Sequence, residues 1–178
     1  MARLNLKVPG QPAAWLAIEI SAIELQPGDP DFEYTDGVKA RVSFFPDQEG
    51  KEFSTEFDTK RWFFGRTYFE TLAYSFARAG QFAHTYFPTS YHGSETGSAK
   101  KCALHVSMDD LHVLIQGSPK REDDHVLVRW FVLDPQSGQF VYGRGRCAIA
   151  EAEHFGGELL RELEAVKEYD IDSTGEPS

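Results

Sequence analysis

Cysteine is scarce: Cys102 and Cys147 are the only two in 178 residues. Both lie in strand-like runs, where a thiol packs as a small apolar residue. Two reduced, structural thiols are therefore predicted rather than a disulfide framework. Long apolar runs are also missing. No window reaches the roughly 18 consecutive apolar residues of a membrane span. Met1 to Pro9 alternates polar and apolar side chains and lacks the continuous apolar stretch of a signal peptide. These absences predict a soluble, cytoplasmic protein with no membrane partner. Positive charge is in deficit, with 18 Lys and Arg against 28 Asp and Glu, a formal net charge of -10. That balance repels nucleic acid and favours encounter with a basic partner, although it also serves plain solubility.

Reactive motifs are absent too. There is no Gly-x-Ser-x-Gly elbow, because Gly117-Ser118-Pro119 does not qualify, and no Gly-x-x-x-x-Gly-Lys loop. His105 and His112 flank a turn containing Asp109 and Asp110, and would face each other if the loop were Met108-Asp109. A closed metal site needs four ligands, and the two histidines sit on the polar alternation of their strands, so solvated histidines are expected. Asp123-Asp124-His125 reads as an acid-rich turn ahead of a strand. The sequence thus predicts no catalytic residue, no metal and no cofactor.

What is present is a core. Hydrophobic residues make up 41% of the chain, including 14 Phe, 7 Tyr and 3 Trp, enough for one packed domain over residues 1–168. Residues 169–178 read as an acidic, frayed tail. Period-two alternation marks strands at Leu4–Val8, Leu16–Leu25 and Val38–Phe44, then at Phe53–Phe57. A slip near Ser21-Ala22 predicts a bulge. Thr67-Tyr68-Phe69-Glu70 has the form of a capping box, and Phe69, Leu72, Ala73, Phe76 and Ala77 follow on one helical stripe, with Gly80 placed to end it. Phe82–Phe87 reads as a short strand and Pro88–Lys100 as a surface loop. Cys102–Val106 and Leu111–Ile115 form a hairpin, Val126–Leu133 and Phe140–Ile149 another, and Phe155, Leu159, Leu163 and Val166 trace a last helix. The predicted fold is α+β: a predominantly antiparallel sheet of about eight or nine strands, with helices near 67–79 and 152–168 on one face. Exposed edge strands would allow a homodimer.

Candidate recognition residues are Tyr86, Tyr91 and His92, aromatic and polar groups on or beside the 88–100 loop, and Arg144 and Arg146. Gly143-Arg144-Gly145-Arg146 is read as a kinked or bulged strand with both arginines on one face, rather than as a phosphate loop. Trp62-Phe63-Phe64 is assigned to the core beneath the first helix.

Early hairpins from Val38 onwards, the helical Tyr68-Phe69-Glu70-Thr71-Leu72, the strand Ala103-Leu104-His105-Val106 and the closing helix from Phe155 to Leu163 form a recognisable layout. It resembles that of small bacterial immunity-type proteins of polymorphic toxin systems, including the WapI-like group. The resemblance implies a non-catalytic protein that neutralises a toxin by covering its active site, and the acidic balance would suit a basic toxin domain. The alternatives are a small enzyme or ligand-binding domain with its site near the 88–100 loop, using Tyr91, His92 or the two arginines, and an accessory subunit of a bacterial assembly.

Overall fold

The computed structural model describes residues 1–27, 34–58, 65–84, 103–118, 120, 122–166 and 168–170. Four strands open the chain: β1 (Ala2–Val8), β2 (Gln11–Pro27), β3 (Tyr34–Phe45) and β4 (Phe53–Asp58). Helices α1 (Gly65–Ala77) and α2 (Ala79–Phe82) follow. Four further strands come next: β5 (Ala103–Ser107), β6 (Leu111–Gln116), β7 (His125–Asp134) and β8 (Gln139–Ala148). Helix α3 (Ile149–Ala165) and the short β9 (Glu168–Asp170) close the described chain. The α+β class and the predominance of antiparallel pairing hold. The strand order is β4-β3-β2-β1-β8-β7-β6-β5. Each half of the chain is thus a four-strand meander followed by helix, and the halves join through Lys7 of β1 opposite Arg146 of β8.

Alternation places the core. Leu4, Leu16, Ile18, Val42 and Phe44 from the first half are buried, as are Val113, Ile115, Val128, Trp130 and Val132 from the second. Phe44 meets Trp130 edge-on at 5.5 Å, so apolar side chains of the two meanders touch directly. Elsewhere the helices fill the space. α1 packs on β3 and β5, α3 on β1, β2, β7 and β8, and Phe76 and Phe155 form a T-shaped pair at 4.8 Å between the two helices. Each such side chain contributes about 1.5–3 kcal/mol on burial, against the entropy of ordering it.

The helix boundaries differ from expectation for local reasons. α1 already includes Gly65 and Arg66, ahead of the supposed cap. Glu70 accepts from Arg66 Nε at 2.9 Å, and Thr67 offers its carbonyl to the Thr71 hydroxyl at 2.7 Å. α3 starts at Ile149, where the Glu151 carboxylate accepts the Ala148 amide at 3.1 Å and the Ile149 amide donates to the Asp124 carbonyl at 2.7 Å. Buried Ala152 belongs to its stripe, too small a side chain to mark the pattern. Gly80 lies within α2 rather than ending α1, and its amide donates to Glu153 Oε1 at 3.0 Å. The expected strand at Phe82–Phe87 fails over its described part: Phe82 ends α2 and Ala83 and His84 form a turn. Docking decides this, since a Cβ at Gly117 would lie 2.0 Å from the Ala83 carbonyl oxygen.

The bulge is where alternation slips, with a register shift between Ile20 and Ala22 of β2. The Ile20 amide donates to Glu162 Oε2 of α3 at 3.3 Å. β9 replaces the expected fraying at residues 169 and 170, pairing parallel with Ile23–Leu25 of β2 beyond the stretch that β1 covers. No helix among the described residues is long and apolar enough to cross a membrane.

Candidate functional site

β8 has a conflict to resolve, since its inner face lies against large side chains. A Cβ at Gly143 would sit 2.4 Å from the Trp130 ring, and one at Gly145 would sit 2.7 Å from Leu6 Cβ. Glycine is required by contact at both positions. The strand itself is regular: ten consecutive pairs run from His125 opposite Ala148 to Asp134 opposite Gln139 without a shift. The expected kink or bulge at Gly143–Arg146 is therefore corrected. The inferred common face is right, for Arg144 and Arg146 both point outward and are exposed.

The same alternation turns Tyr142 and Phe140 outward on β8, Phe131, Arg129 and Leu127 on β7, and His112 on β6. Phe131, Phe140 and Tyr142 are 40%, 44% and 48% exposed, three of the five large exposed hydrophobics among the described residues. They are also neighbours. Phe131 and Tyr142 are cross-strand partners with ring centroids 6.0 Å apart. Phe140 meets His112 edge-on at 5.6 Å, and His112 stacks on His105 at 5.6 Å. The two histidines are diagonal rather than opposite. Met108 and Leu111 close the turn around Asp109-Asp110, which sets Ser107 against His112 and His105 against Leu114.

Three arginines border the aromatics. Arg129 and Arg144 are directly opposed, and Arg129 Nε is buried without a hydrogen-bond partner. Arg144 meets no carboxylate among the described residues. Arg146 is already held by Asp123, with Nη2 at 3.3 Å from Oδ1 and 3.4 Å from Oδ2. The acids at the margins of the patch are engaged locally. Asp47 accepts the Glu49 and Lys51 amides, Glu49 pairs with Lys51, and Asp134 accepts the Ser137 hydroxyl at 2.6 Å. That last bond, with the Gln136 amide, holds the Asp134 carboxyl below the usual range.

The other groups are less promising. Asp123, Asp124 and His125 bring potential ligand atoms within 4.8 Å of one another, but Asp123 serves Arg146 and Asp124 contacts His125 Nδ1 at 2.5 Å. A cavity of about 270 Å³ lies over the bulge on the first meander. Its Arg41 is neutralised by Glu56 and Glu19, an ordinary solvated ion-pair row. Cys147 is buried, and burial followed by the nearby Glu151 pushes its thiol up to about 12. Tyr86, Tyr91, His92, Cys102, the 88–100 loop and Trp62-Phe63-Phe64 lie outside the described residues.

Only Arg144 and Arg146 of the sequence-derived candidates are therefore placed. The missed members are Phe131, Phe140, Tyr142 and Arg129. Their signal was the parity of β7 and β8, which puts aromatics and arginines on the positions where polar residues usually face water.

No family model matches the chain, and no curated protein matches its sequence. Among solved structures it is similar to the plant transcriptional regulator PBF-2, at 10% identity over 86% of this chain and 84% of that one. The TM-score is 0.38, a loose likeness from which no function follows.

Proposed function

We propose that this chain is a non-catalytic protein-binding domain of the immunity type, which neutralises a cognate bacterial toxin by docking the outer face of β6, β7 and β8 against it. The carrying observation is compositional. None of the outward positions of these three strands is Asp, Glu or Lys, in a chain with 28 acidic residues. Protein interfaces are enriched in aromatics and arginine and depleted in those same three residues. A face meant only for solvent would carry the opposite set, as the Glu19–Arg41–Glu56 row of the first meander does.

The link to toxins comes from the resemblance in strand and helix layout. The net charge of -10 supports it, since an acidic inhibitor is steered towards a basic toxin. Co-expression provides the test. The chain should restore growth to cells producing the toxin domain encoded immediately upstream and should co-purify with it. Growth that is not restored, or a neighbouring gene that encodes no secreted effector, contradicts the toxin assignment.

A further inference from the structure

Arg129 and Arg144 stand opposite each other across an antiparallel ladder. Like charges in that position destabilise the sheet. Arg129 also keeps Nε buried without an acceptor, and an unsatisfied buried donor is costly. Arg146, two pairs along on the same face, has its carboxylate in Asp123. Among the outward positions of β6, β7 and β8, arginine without a carboxylate partner is thus confined to one cross-strand row, directly beside the Phe131–Tyr142 row. A guanidinium pair of this kind is completed by an anion, because carboxylates bind arginine through charge-assisted hydrogen bonds.

We infer that this face receives a segment of a partner protein that carries carboxylates next to apolar side chains, the carboxylates seated on Arg129 and Arg144 and the apolar groups on Phe131, Phe140 and Tyr142. This rests on the protein-binding function proposed above and specifies its partner. Net charge and local charge then have separate roles. The acidic chain is drawn to a basic toxin at long range, while the arginine row selects carboxylates on contact. A metal-dependent nuclease offers such carboxylates where it holds its ion. Nucleic acid fits less well, because the net charge of -10 opposes it. A second copy meeting this face about a two-fold axis would bring arginine rows together.

Random dodecapeptides displayed on phage and panned on the immobilised full chain provide the test. Enriched peptides should combine Asp or Glu with aromatic or aliphatic residues. A synthetic peptide of that sequence should lose about tenfold or more in affinity for Arg144→Glu, the loss of a charge-assisted bond. Arg144→Glu should melt no lower than the wild type, since it replaces a like-charge pair with an opposite one. That separates lost recognition from lost folding. Enrichment of basic peptides, no enrichment over the bare support, or binding indifferent to Arg144→Glu overturns the inference. So does labelled oligodeoxythymidylate that binds the wild type and is lost in the variant, or a dimer in sedimentation that the variant dissociates. If a toxin is neutralised equally well by Arg144→Glu, the immunity function stands and this inference fails. If acidic peptides bind as described but no toxin is neutralised, the surface stands and the toxin assignment fails.

Discussion

Cys147 sits on the inner face of β8, where burial keeps its thiol protonated well above the ordinary value of 9.0. A raised thiol pKa means that the unfolded chain releases this proton first, so stability is intact below about pH 9 and declines as pH rises towards the folded value. The side chain is structural and should be inert. In a Cys102→Ser background, Ellman's reagent at about pH 8 should leave the native protein unmodified and titrate one thiol after denaturation. Rapid modification of the native protein would contradict this placement. The sequence revealed the apolar environment of this cysteine through its neighbours. It did not reveal why Gly143 and Gly145 flank Arg144, because Trp130 and Leu6, which exclude a Cβ there, are distant in the chain.

Between elements, α3 approaches α1 closely at Gly156. A Cβ there would lie 2.2 Å from the Ala77 amide nitrogen and 2.6 Å from the Ala73 carbonyl oxygen of α1. Its neighbour Gly157 has nothing within 4 Å of a hypothetical Cβ. The two glycines therefore predict opposite outcomes. Gly156→Ala should destabilise by about 1–3 kcal/mol by forcing the helices apart. Gly157→Ala should stabilise by up to about 1 kcal/mol through helix propensity alone. Chemical denaturation of both variants checks this, and equal effects would show that the α1–α3 contact is misplaced. From sequence, the glycine pair looked like a weak helix start, since nothing local distinguishes a packing glycine from a breaker. Strand alternation was more legible: among the described residues, all eight antiparallel strands, the bulge at Ile20–Ala22 and the polarity of the hairpins follow from period two. Boundaries at Ile149 and Phe82 were not, because they are set by bonds to Glu151 and Glu153 and by docking on Gly117.

For the molecule as a whole, the repeated plan of four strands then helix is visible only once the strand order is known. Alternation tells which side of a strand is wet, not which strand lies beside it. The union of β1 with β8, the contact of Phe44 with Trp130, and the row formed by Arg129 and Arg144 all depend on that missing order. The binding face was therefore half legible, as two outward arginines without their aromatic neighbours. Total charge was legible and its distribution was not. An overall charge of -10 coexists with a face whose outward strand positions carry no acid. Isothermal titration calorimetry against the co-encoded toxin domain tests the assignment of that face most directly, comparing Tyr142→Ala with Arg41→Ala on the outer face of the first meander. Tyr142→Ala should weaken binding by about 2 kcal/mol, roughly thirtyfold, as an interface hot spot does, with Arg41→Ala near wild type. Unchanged affinity for Tyr142→Ala, or a larger loss for Arg41→Ala, would contradict it.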